Sequence, residues 1–155
     1  MARERFHTEL RVRFSETDLQ GHVFFGNYLD YFDVALVEYT KALGFSYQRM
    51  VEAGVDLVFV EAVSRFHGSA RFDDLLRVAC WIGRLGNTSL RFDFEVTVEG
   101  RGGRVASGSI TGVCLDHTTR EPIPVPGELR RAVLAYQGEV PGGEQPAPDG
   151  EESPL

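Results

Sequence analysis

The chain has 155 residues, a formal charge of −7, 43% hydrophobic and 25% charged residues, the composition of one globular domain rather than a disordered or fibrous chain. No uninterrupted apolar run approaches the roughly 20 residues that span a bilayer, and the excess of acid argues against a nucleic-acid partner, whose phosphates need a basic face. Two cysteines, Cys80 and Cys114, are too few for a disulfide framework and stand in no metal-binding spacing, so a zinc site is not expected and a reduced, cytoplasmic setting is.

Residues 1–3 and the next few (Met-Ala-Arg-Glu-Arg-Phe-His) lack the apolar core of a signal peptide. Residues 6–14 alternate and predict a strand, with Leu10, Val12 and Phe14 on one side and Arg11 and Arg13 on the other. A polar, glycine-containing loop follows over 15–27. Residues 28–43 predict a helix about 24 Å long, because Tyr28, Phe32, Ala35, Leu36, Tyr39 and Leu43 recur at helical spacing, with Asn27 as N-cap and Gly44 as stop. From 57 to 72 the period changes to two. Val58, Val60, Ala62, Phe66, Ala70 and Phe72 form an apolar face, and Glu61, Arg65, His67 and Arg71 a polar one, read as a polar sheet surface or a contact between subunits. Asp73-Asp74 breaks the pattern. A strand apolar on both faces follows over 75–85, then a Gly86-Asn87 turn. Over 90–99 Leu90, Phe92, Phe94, Val96 and Val98 oppose Arg91, Asp93, Glu95, Thr97 and Glu99. A glycine-rich hairpin turn at 100–103 leads into a strand over 104–116, and 127–137 predict a terminal helix.

Residues 138–155 hold five of the 23 acidic residues, four of the seven prolines and no Lys or Arg, and read as a flexible tail that leaves 1–137 as the domain. The order strand, long helix, then at least four strands is α+β with an antiparallel sheet, and the helix is the element able to cover the sheet's apolar face.

Chemistry concentrates between Phe14 and Asp33. A carboxylate one loop upstream of a helix N-terminus can act as base or nucleophile, and the unsatisfied N–H groups of that terminus can stabilise an oxyanion. Asp18 is the candidate carboxylate, with Glu16 two residues away read as solvated and His22 as a hydrogen-bonding loop residue. Ser64 and Ser69 have no base at nucleophile spacing and no Gly-x-Ser-x-Gly exists, so a Ser-His-Asp hydrolase is not expected; Cys80 and Cys114 read as small core residues.

The run Glu16-Thr17-Asp18-Leu19-Gln20-Gly21-His22-Val23-Phe24-Phe25-Gly26-Asn27-Tyr28-Leu29 resembles the signature of hot-dog-fold acyl-CoA thioesterases of the 4-hydroxybenzoyl-CoA thioesterase type, and Ala70-Arg71-Phe72-Asp73-Asp74-Leu75 resembles that family's acidic turn between its second and third strands. The resemblance spans about residues 6–136. It implies a sheet wrapped around one central helix, a homodimer or homotetramer with the site between chains, and a thioester of CoA or of an acyl-carrier protein as substrate. CoA is then part of the substrate and no separate cofactor is needed. Carried over by position, Asp18 is the catalytic carboxylate and Phe25 offers its backbone N–H to the thioester carbonyl. Gly21, His22, Val23, Phe24, Asn27 and Tyr28 stand as candidates for substrate contact. The 4-hydroxybenzoyl-CoA enzyme's basic cluster near its fourth strand is replaced here by Gly86-Asn87-Thr88-Ser89, which leaves Arg84 and Arg91 as the nearby cations, and His22 stands in place of an aliphatic residue. Two other functions suit the same architecture: a hydroxyacyl-thioester dehydratase, for which no His-Phe-Pro type signature is present, and a non-catalytic acyl-CoA or acyl-carrier binding module.

Overall fold

A computed structural model describes residues 4–141; most of the expected tail, 142–155, lies outside the described residues. The elements run β1 (His7–Arg11), α1 (Tyr28–Ala42), α2 (Tyr47–Glu52), β2 (Val55–Phe66), β3 (Leu75–Leu85), β4 (Ser89–Val98), β5 (Arg104–Asp116) and α3 (Gly127–Gln137), with short 3-10 turns at Phe14–Glu16 and Phe25–Asn27. The five strands make one antiparallel sheet in the order β1-β3-β4-β5-β2, so β1 and β2 are its edges. This is the α+β arrangement the alternation of periods predicts.

The helix and β4 meet as their patterns require. Tyr28, Tyr31, Phe32, Ala35, Leu36 and Tyr39 are buried on one side of α1, and Leu90, Phe92, Phe94, Val96 and Val98 are buried on one side of β4. The Phe32 ring stacks on Phe94 at a centroid separation of 4.7 Å. Fully burying side chains of this size stabilises the fold by roughly 1.5–3 kcal/mol each, so this seam holds α1 to the sheet. Gly44, at φ +74°, ends the helix as the sequence indicates. Val140, within the segment expected to be tail, packs against the core. No helix among the described residues is long and apolar enough to cross a membrane.

Two features differ from the sequence reading. The apolar face of β2 does not keep one parity. A bulge between Phe59 and Glu61 inserts an extra residue, so Val55 and Leu57 pack toward the core before it, whereas Phe66 contacts the α1 side after it and Glu61, Val63 and Arg65 face outward. The short helix α2 was not expected. Ser46 caps it, accepting the Arg49 N–H at 3.2 Å, and Gly54 follows it at φ +72°.

Cys80 and Cys114 are free thiols sealed in the core, and burial pushes the Cys114 thiol up to about 12 and the Cys80 thiol well above its ordinary value. Because the thiolate is the reactive species, neither cysteine should react with an aromatic disulfide reagent at pH 8 in the folded protein, and both should react in guanidinium. Stoichiometric labelling of the native chain would contradict this burial.

Candidate active site

The loop after β1 is closed by its own backbone. Thr17 and Val23 form a β-bridge, the Asp18 N–H donates to His22 O at 3.0 Å, and the Gly21 N–H returns to Asp18 O at 2.9 Å. Gly21 sits at φ +83°, a conformation that disfavours any side chain, so this tight return depends on glycine. The Val23 N–H donates to Ala70 O at 2.8 Å and bolts the loop to the turn before β3.

Asp18 is half-buried. Its Oδ1 accepts the Gln20 N–H at 2.8 Å, and among the described residues no cation pairs with the carboxylate. It lines a crevice of about 500 Å³ with Phe14, Ser15, Thr17, Leu19, Gly21 and Phe72. The Phe14 and Phe72 rings meet edge to face at 6.0 Å, so the crevice that Asp18 lines has an apolar wall.

The start of α1 is built differently from the sequence expectation. Asn27 is already helical (φ −73°, ψ −15°), so its side chain caps nothing. An N-cap residue must be extended to turn its side chain back onto the first N–H groups, and here Phe24 is the extended residue, with the 3-10 turn Phe25–Asn27 leading into α1. The Asn27 N–H goes to Phe24 O, while the Phe25 and Gly26 N–H groups donate to no backbone carbonyl among the described residues. They are the orphan donors of a helix start, and Phe25 is the one the family resemblance selects. The Phe25 ring is exposed and packs edge to face with Phe66; the Tyr28 ring, buried beneath, also touches Phe66.

Glu16 joins these two parts and is not solvated. Its carboxylate, 17% exposed, accepts the Arg13 N–H at 2.8 Å, pairs with the Arg13 guanidinium at 3.1 Å and accepts the Tyr31 hydroxyl at 3.1 Å. Its carbonyl takes the Phe24 N–H at 2.9 Å and the Asn27 side-chain amide at 2.8 Å. Burial and the Glu16 charge push the Tyr31 phenol above its ordinary value, so it stays a donor across the neutral range. Glu16 therefore fixes the Asp18 loop to the first turns of α1. The Arg13-x-x-Glu16 spacing, half of a capping box, was the sequence signal for it.

His22 places Nδ1 3.2 Å from Val23 O, the within-loop hydrogen bond its sequence reading described. Val23 is buried, and the Phe24 ring packs tilted against Phe25 at a centroid separation of 4.7 Å. Arg84 and Arg91 face each other across β3 and β4 on the outer side of the sheet, away from α1, and Arg91 is bound to Asp93 through Nε and Nη2 at 2.7 and 3.1 Å. Neither is among the described residues that line the Asp18 crevice; Arg91 lines a polar cleft with Glu61, Arg65 and Trp81, and Arg5 lies over the Trp81 ring at 3.8 Å. Phe59 borders a third space, an apolar groove of about 350 Å³ between α1, α2 and β2 that includes Leu36, Val37, Tyr47 and Met50. Among the described residues His67 Nε2 lies 2.8 Å from Ser107 Oγ, and no carboxylate there pairs with the other ring nitrogen.

A family model described as the thioesterase-like superfamily matches residues 12–133. The chain is 28% identical over 123 residues to the long-chain acyl-CoA thioesterase FadM of Escherichia coli K12, covering 79% of this chain and 92% of that protein. It is 26% identical over 124 residues to the acyl-CoA thioester hydrolase YbgC of Escherichia coli O6:H1, covering 80% of this chain and 92% of that one. Among solved structures, the DHNA-CoA thioesterase of Staphylococcus aureus superposes with a TM-score of 0.75 at 25% identity, over 89% of this chain and 96% of that one.

Proposed function

The chain belongs to the thioesterase-like superfamily and is a thioester hydrolase of the hot-dog fold, and from that premise we propose that its substrate is an acyl-CoA and that Asp18 and the Phe25 N–H carry the chemistry. The observation that carries the site assignment is the Asp18 carboxylate itself: presented on a crevice by a loop fastened to the helix start, and neutralised by no cation among the described residues. The thioester carbonyl takes the Phe25 N–H. Asp18 removes a proton from water, the water oxygen adds to the carbonyl carbon, and the oxyanion is held by the helix-start donor. Collapse breaks the C–S bond and the proton passes to sulfur, giving free acid and CoA. Attack by the carboxylate itself, through a mixed anhydride that water then opens, uses the same two groups.

We further read the working unit as a homodimer or an assembly of dimers. Edge strand β2 is twelve residues long and leaves Phe59 and Phe66 about half exposed, at 47% and 49%, a long apolar edge of the sort that pairs with another strand. The test of function is a thiol-release screen over short, long and aromatic acyl-CoAs. Release from at least one class supports hydrolysis. Enoyl absorbance from a 3-hydroxyacyl thioester without thiol release would instead establish a dehydratase, and tight acyl-CoA binding without either would establish a binding module.

A further inference from the structure

The charges around the Asp18 crevice pair off almost completely. Arg11 binds Asp73, through its carboxylate at 3.6 Å and its carbonyl at 2.8 Å. Arg13 binds Glu16 at 3.1 Å, and Arg101 binds Asp74. Among the described residues two of these charges are left over. One is Asp18. The other is Arg71, whose backbone is fixed, its N–H donating to Asp74 Oδ2 at 2.8 Å, while its guanidinium pairs with no carboxylate among the described residues. Asp73 and Asp74 follow it directly in sequence and are its natural partners, but both are occupied by arginines from β1 and the β4–β5 turn. Arg71 Nη1 lies 4.0 Å from the point where a Cβ on Gly21 would stand, and Gly21 and Phe72 both line the crevice. The Val23–Ala70 backbone bond fixes this meeting of two turns fifty residues apart.

In a chain of net charge −7, an uncompensated guanidinium at the rim of the crevice that holds the free carboxylate fits an anion brought in by the substrate. We propose that Arg71 anchors a phosphate of the substrate's phosphopantetheine-bearing carrier, a role that rests on the thioesterase reading above. Asp18 then addresses the thioester end of the arm and Arg71 the phosphorylated end, with the exposed Phe14, Leu19 and Phe72 side chains beside the aliphatic stretch between them. The planar guanidinium can bind phosphate oxygens in pairs, which an ammonium cannot, so lysine at this position restores charge but only part of the affinity.

The test compares wild type, Arg71→Gln and Arg71→Lys on one acyl group carried by CoA, by phosphopantetheine and by pantetheine, after thermal melts show all three proteins folded. Arg71→Gln should raise KM for acyl-CoA about tenfold or more with kcat within about twofold, the signature of lost ground-state and transition-state binding alike, and Arg71→Lys should recover part of it. Pantetheine thioesters, which lack phosphate, should show no shift. A shift on both phosphorylated substrates places the contact at the phosphate that CoA shares with carrier proteins; a shift on acyl-CoA alone places it at the nucleotide phosphates. Equal shifts on all three substrates, or none on any, overturn the proposal. Should wild type release thiol from no substrate, the hydrolase reading fails, and Arg71 is then judged by calorimetric titration with CoA and with pantetheine: CoA binding weakened about tenfold by Arg71→Gln supports the anchor, and equal binding removes it.

Discussion

Asp18→Asn is expected to lower the turnover of the best acyl-CoA by at least about a hundredfold while leaving the melting temperature close to that of wild type. The two side chains have the same shape, and the amide oxygen of Asn can still accept the Gln20 N–H that Asp18 Oδ1 accepts at 2.8 Å, so the turn over residues 18–21 survives the change. No ion pair is lost, because the carboxylate has no cationic partner among the described residues. What disappears is basicity and nucleophilicity at the crevice. Positioned general bases contribute about 10² to 10⁴ in rate, and the helix-start N–H donors are untouched, so the residual rate measures what the oxyanion site does alone. The measurement is initial thiol release at saturating substrate, read beside a circular-dichroism melt. Near-wild-type turnover on every acyl-CoA would falsify the role given to Asp18. A loss accompanied by a large drop in melting temperature would show instead that Asp18 acts as a loop cap.

What the sequence exposed of this molecule was whatever repeats locally. The stripe from Tyr28 to Tyr39 and the alternation from Leu90 to Val98 announce which face is buried, because one face of a helix or strand needs only near neighbours to be recognised. The Asp18 loop was visible for a similar reason: its residues are consecutive. Features made by residues far apart were invisible. Glu16 looked solvated because its partner Tyr31 is fifteen residues on, and the Arg71 guanidinium meets Gly21 across fifty. The bulge in β2 leaves no mark on hydropathy, so the parity read from Val58 onward could not reveal that Leu57 turns inward. In β3 the bulge between Ile82 and Arg84 sits where Gln137, at the end of α3, pairs with both the N–H and the carbonyl of Ile82 at 3.0 and 2.8 Å, a side chain standing in for a strand. The helix α2 spans barely two turns, too few for a period to show, and only Ser46 and Gly54 marked its ends.

The glycines of β5 carry the remaining information the sequence withheld, and Gly108→Ala is the stability change expected to be largest. Gly108 lies opposite Ser64 on β2 and Phe94 on β4, in the middle of the sheet beneath α1. A Cβ there would stand 2.1 Å from Val63 O and 2.6 Å from the Phe32 ring. Neither neighbour can retreat. Val63 O belongs to the backbone of the β2–β5 pair, and Phe32 is fully buried, stacked on Phe94 with an interplanar angle of 10°. One methyl group must therefore spread two strands or lift the helix, and overpacking of this sort costs about 1–3 kcal/mol, occasionally more. Taking about 3 kcal/mol, the melting temperature should fall by roughly 10 °C. Gly112, four residues further along the same strand, is the control. The nearest atoms to a Cβ there all belong to the Leu57 side chain, Cδ1 at 2.6 Å and Cγ at 3.0 Å, with no backbone among them, and that half-buried side chain can rotate aside, so Gly112→Ala should cost less than about half as much. Because Phe32 belongs to the helix into which the Phe25–Asn27 turn leads, Gly108→Ala should also lower kcat at a temperature where the protein is still folded, whereas Gly112→Ala should not. Equal melting temperatures for the two variants would mean that Phe32 does not press on β5 at Gly108, and that the helix is not seated on the sheet through this contact.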